Sequence, residues 1–185
     1  MNRYYLLLLL LGLFLFNCGN NKNKLKAEEE DHHQFFGDLA HTELADLELI
    51  MKQSDKVIAY NWNGNNGNPA SIAQDYIVDA YGQFDKTVGK QFELSHSQIQ
   101  ELKAILSNKT TYNEPVATCF LPHIAFVYYR DNKITGQTNV CFLCEGVKSV
   151  PKFNGSLSKK GTERLKKFCK SIGLKIIDQE SQTRG

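Results

Sequence analysis

The chain lacks the short signatures of the common hydrolases and nucleotide enzymes. It holds no Gly-rich phosphate loop, no nucleophile elbow and no His-Glu-x-x-His metalloprotease motif. Asp75, Asp79 and Asp85 form no spaced carboxylate pair on a recognisable scaffold. An excess of one charge is missing too: 22 Lys and Arg face 20 Asp and Glu, a net of +2. Such a balance favours neither nucleic acid nor another polyanion. Beyond the N-terminus, no segment approaches the ~20 apolar residues of a membrane-spanning helix. What is present divides into an N-terminal address and a small set of cysteines and histidines.

Arg3 precedes the apolar run Leu6 to Phe16, which stops at Asn17 and Cys18. A positive start, an apolar stretch too short to span a bilayer and a polar residue before a cysteine describe a secretory signal peptide. The tetrapeptide Leu15-Phe16-Asn17-Cys18 resembles the lipobox of bacterial lipoproteins, with Asn17 where Gly, Ala or Ser is usual. That resemblance implies cleavage just before Cys18, lipidation of Cys18 with fatty acids such as palmitate, and an anchored domain. The expected location is the bacterial cell envelope, with the domain in the periplasm or at the cell surface. The resulting domain map is 1–17 signal peptide, 18–40 lipidated cysteine and charged tether, 41–178 a single domain, and 179–185 a disordered tail. Removing Arg3 with the signal leaves 21 basic against 20 acidic residues. The tether is rich in Asn, Lys and Glu and cannot bury enough surface to offset its ordering entropy. His32, His33 and His41 at its end read as solvated linker residues, since nothing there fixes a metal geometry.

Within the domain, Leu44, Leu47, Ile50 and Met51 give a helix over 42–53, and Val57 to Trp62 alternates like a strand. The Asn- and Gly-rich run 61–69 is a loop. Strands are expected around 76–78 and 84–94. Ser95 and Gln98 form a capping box, with Leu94 and Ile99 as its hydrophobic staple, and the helix they open ends near Asn108. Ile124 to Tyr129 and Ile134 to Phe142 form a hairpin about Arg130-Asp131-Asn132-Lys133. A last helix runs from near Ser158 to Gly173, and 174–177 adds a short strand. The expected fold class is α+β, a small antiparallel sheet with a central hairpin at about 124–142, packed by two or three helices.

The chemistry-bearing residues cluster at the open end of that hairpin. With Asp131 and Asn132 as central turn residues, paired positions sum to 263, which sets Cys119 opposite Cys144 and Pro122 opposite Cys141. Three readings follow. The first is a disulfide between Cys119 and Cys144, with Cys141 and Cys169 paired or free, in keeping with an even count of four once Cys18 is lipidated. The second is a structural zinc held by Cys119, His123, Cys141 and Cys144. The third is a redox dithiol at Cys141-x-x-Cys144, which lacks the helix that would lower the first thiol's pKa. Under the disulfide reading His123 is a partly buried strand residue.

Two further features have bland and sharp readings. Trp62 with Asn61, Asn63 and Asn65 forms either a sugar-stacking platform or a loop with one aromatic folded onto the core. Lys159, Lys160, Arg164, Lys166, Lys167 and Lys170 make either an anionic-lipid patch or a solvated helix face. The segment Cys119 to Cys144 is similar to hairpins of exported bacterial proteins with no assignable activity. The expected function is therefore a membrane-tethered, non-enzymatic binding or interaction module for a protein or glycan ligand, with a structural Cys/His cluster. Nucleic acid is excluded as a partner. The competing reading is a metal-dependent or thiol redox protein using Cys119, His123, Cys141 and Cys144.

Overall fold

A computed structural model describes residues 44–64, 75–113, 119–151 and 153–178, the side chains of Ala45 and Asp46 aside. The signal peptide, Cys18, the tether and the 179–185 tail lie outside the described residues. The elements in chain order are α1 (Leu44–Gln53), β1 (Lys56–Asn61), β2 (Gln91–Glu93), α2 (His96–Leu106), a single 3-10 turn (Lys109–Thr111) and β3 (Tyr112–Asn113). There follow β4 (Ile124–Arg130), β5 (Lys133–Cys141), β6 (Gly146–Val150), β7 (Phe153–Leu157) and α3 (Lys159–Ser171). All seven strands form one sheet in the order β2-β1-β4-β5-β6-β7-β3, and every neighbouring pair is antiparallel. The α+β class holds, but the sheet is larger than expected.

The excess comes from the two-residue β3 and from β6 and β7. The sequences of β6 and β7, GVKSV and FNGSL, are rich in Gly, Ser, Asn and Lys, which carry no strand signal of their own. Pairing with β5 and with each other makes them strands. At the other end, the stretch expected as one strand over 84–94 is mostly not a strand. Asp85 accepts the backbone N–H of Thr87 at 2.7 Å, an Asx turn that competes with ladder formation. Only an isolated bridge, Val78 to Phe84, and β2 remain.

The helices cover one face. Leu47 and Met51 of α1, Ile99, Leu102, Ile105 and Leu106 of α2, and Leu165, Phe168 and Cys169 of α3 pack on Val57, Ala59, Ile124, Phe126, Tyr128, Val140 and Val147. The helix α2 starts as its sequence dictates: Ser95 Oγ accepts the Gln98 N–H at 3.4 Å and Gln98 Oε1 accepts the Ser95 N–H at 2.7 Å. The helix α3 is capped by Ser158, whose hydroxyl accepts the Gly161 N–H at 3.0 Å. It ends at Gly173, whose φ of 88° is the left-handed backbone of a helix terminus. None of the helices among the described residues is long and apolar enough to cross a membrane.

A second, smaller core lies on the opposite face: Tyr60, Trp62, Ile77, Val78, Ala125, Val127 and Tyr129. Two buried polar side chains of β5 fasten it. Gln137 donates to the Val78 carbonyl at 2.7 Å and accepts the Val78 N–H at 3.0 Å, and Asn139 Oδ1 accepts the Ile77 N–H at 3.0 Å. These amides satisfy backbone groups of 77–78 that the single bridge to Phe84 leaves unpaired, so the polar residues at these buried positions are employed.

The β4–β5 turn is as expected, with Asp131 and Asn132 both at positive φ, 52° and 62°, the geometry of a type I′ turn. Arg130 pairs with Lys133 and Tyr129 with Ile134, a sum of 263, but Tyr128 pairs with Gly136 and the sum is 264 from there on. The extra residue is Thr135, bulged out with its hydroxyl donating to the Tyr128 carbonyl at 3.3 Å. The register expected for Pro122 and Cys141 is therefore displaced by one residue.

Candidate functional site

The open end of the β4–β5 hairpin is fixed by a disulfide. Cys119 and Cys144 are bonded, with Cα atoms 6.0 Å apart and a sequence separation of 25. Because of the bulge and the end of β5 at Cys141, Cys144 sits in the turn between β5 and β6, where Glu145 adopts a φ of 48°. The bond thus ties the segment entering β4 to that turn.

The two remaining thiols are separate and buried. Cys141 and Cys169 are both free, so the pair Cys141–Cys169 is not formed. Cys169 belongs to the helix side of the main core, and burial pushes its thiol far above the ordinary range. Cys141 accepts the Cys144 N–H on its sulfur at 3.1 Å. Burial nonetheless raises its pKa, with backbone hydrogen bonds from the surrounding turn opposing. A nucleophilic or redox cysteine needs the opposite environment. With Cys119 and Cys144 in a disulfide, the four-residue set with His123 and Cys141 offers one thiol and one imidazole, too few for a structural zinc. Among the described residues no group of three or more His, Cys, Asp or Glu is arranged to hold a metal.

His123 is held by its backbone on both sides. Its N–H donates to Val140 of β5 at 3.1 Å, and its carbonyl accepts the Trp62 N–H at 3.1 Å. Gly64 continues the same ladder, donating to the Pro122 carbonyl at 3.0 Å. The imidazole is half-buried, and desolvation lowers its pKa below the ordinary 6.5, partly offset by the Trp62 backbone. At neutral pH it is uncharged.

Trp62 lies beside it. At 4% exposure its indole is part of the second core, so it presents no open face for stacking a sugar. Asn63 is bound through its backbone to Thr87, its N–H donating to the Thr87 hydroxyl at 3.0 Å and its carbonyl accepting from it at 3.0 Å. Asn65 lies outside the described residues. Asn61 has a different role from the one its sequence context implied. Its side-chain amide reaches the segment after α3, accepting the Lys175 N–H at 2.9 Å and donating to the Lys175 carbonyl at 2.9 Å. The segment 174–177, expected as a strand, is not one, because its only rung goes to a side chain.

These residues border a half-open cavity of about 330 Å³, lined by Asn61, Trp62, Lys90, His123, Leu174 and Lys175 together with Gly173 and Ile177. Its volume is at the lower end of the range for small-molecule sites, and its walls are apolar with a few polar groups. Of the cysteine and histidine residues singled out by sequence, His123 alone reaches it. The lining was missed as a group because, with His123, it comes from four separate stretches of chain.

The basic residues of α3 are partly engaged. Lys166 pairs with Asp178 at 2.8 Å and lies over the Phe142 ring. Lys159, Lys160, Lys167 and Lys170 are exposed and in no ion pair among the described residues. No family profile, no curated protein and no solved structure matches the chain.

Proposed function

We propose that the chain is an exported lipoprotein of the bacterial cell envelope, anchored through Cys18, whose domain is a binding module and not an enzyme. The observation that carries the binding reading is the cavity beside His123. It is walled by an indole, an imidazole, aliphatic side chains and the side chains of Lys90 and Lys175, the segment entering β4 is braced by a disulfide, and no cysteine, hydroxyl residue or carboxylate lines it among the described residues. Export is supported by the same disulfide, since such bonds persist in oxidising compartments. The signal features at 1–18 and the polar tether at 18–40 fit a domain held off a membrane.

The test is processing of the full chain in a bacterial host. Mature protein beginning at Cys18, heavier by a diacylglycerol and an acyl chain and partitioning into detergent, is the expected result. The variant Cys18→Ser should then stay water-soluble or unprocessed. Mature protein that begins elsewhere and stays out of the detergent phase overturns the anchor.

A further inference from the structure

The cavity between the end of β1, the start of β4 and the segment after α3 has a composition that selects its ligand. Trp62, the one tryptophan of the chain, and His123 both line it. Nε1 of Trp62 and Nδ1 of His123 are buried and offer it no polar surface. Lys90 and Lys175 line the cavity from two separate segments, both are exposed, and neither is in an ion pair among the described residues. No carboxylate of this chain lines it among the described residues. Leu174 and Ile177 supply aliphatic wall.

We propose that this cavity binds a small monocarboxylate with an apolar tail. The carboxylate lies toward Lys90 and Lys175, while the tail lies along Leu174 and Ile177. Inorganic phosphate fits less well, because the aliphatic wall would gain nothing from it. A neutral lipid or sugar would leave the two ammonium groups without a counter-charge. The assignment rests on the binding-module reading and names its site and ligand class.

The single indole gives a single Nε1–H resonance, so nitrogen-15 NMR of the full chain with its lipid cysteine replaced, Cys18→Ser, reads the site directly. Sodium hexanoate is the probe, with hexanol and inorganic phosphate beside it. A saturable shift of the indole resonance by hexanoate is expected, with hexanol weaker by roughly tenfold, the worth of two flanking surface charges. The double variant Lys90→Ala/Lys175→Ala should weaken hexanoate by a similar factor while leaving the unliganded spectrum in place. Equal shifts with hexanol and hexanoate overturn the carboxylate assignment but leave a binding cavity. A shift with phosphate as strong as with hexanoate overturns the apolar tail. Silence of the indole to every probe at about 50 mM overturns the site itself and, with it, the observation on which the binding-module reading rests.

Discussion

The side-chain amide of Asn61 pairs with the backbone of Lys175 as a neighbouring strand would, one bond in each direction, both 2.9 Å long. A single residue at the end of β1 therefore holds the wall of the cavity that carries Leu174 and Lys175. Replacing it leaves two backbone groups to find water. Asn61→Ala should cost about 1–2 kcal/mol, and its mark should be local. Hydrogen exchange at the Lys175 amide should accelerate strongly while the amides of β4 stay protected. Uniform acceleration across the sheet would contradict a local clasp.

The disulfide closes a loop of 25 residues that contains the whole β4–β5 hairpin. In the chain-entropy picture a loop of this size contributes about 3 kcal/mol. Cys119→Ser/Cys144→Ser should lower the urea midpoint accordingly, and reductant should have no further effect on that variant. Denatured without reductant, the domain should expose the thiols of Cys141 and Cys169 only. In the native state both should resist alkylation, because burial holds them protonated.

Acid should weaken the domain partly through His123. Its folded pKa lies below the ordinary 6.5 because burial disfavours the imidazolium, so over that window the unfolded chain binds more protons than the folded one. Stability is then full above the unfolded value and declines as pH falls toward the folded value. His123→Gln should flatten the change in urea midpoint between about pH 7.5 and pH 5. A pH dependence identical to that of the natural chain would assign the effect to other groups.

Gly161, in the first turn of α3, has no room for a methyl group: a Cβ there would run into the backbone of Thr111, in the 3-10 turn. Helix propensity alone favours alanine by about 1 kcal/mol. Since the obstacle is backbone, packing decides the sign, and Gly161→Ala should destabilise by about 1–3 kcal/mol. Thermal unfolding measures it, and a raised Tm would show that α3 can shift freely on Thr111.

Local signals were the legible ones. Ser95, Gln98 and Ser158 announce their helices because a cap is decided within four residues of chain, and Asp131-Asn132 announces its turn for the same reason. The Cys119–Cys144 pairing could be argued from that turn even though Thr135 displaces the register behind it, since a disulfide reaches across a range of Cα separations. The strands β6 and β7 were not legible, because Gly146, Ser149, Asn154 and Gly155 acquire extended structure from β5 and not from themselves. The cavity was hidden for a related reason. His123 and Trp62 each drew notice, but for zinc and for sugar. Only the ladder that runs from Trp62 to His123 and from Gly64 to Pro122 brings them together.

The two strands at the borders of the sheet are its shortest, β2 with three residues and β3 with two. A domain tethered to a surface meets its own copies far more often than one diluted in bulk, and a long open border would let those copies zip into a shared sheet. Borders this brief give a neighbour almost nothing to hold. Copies of this domain, anchored as proposed, would then stay separate units.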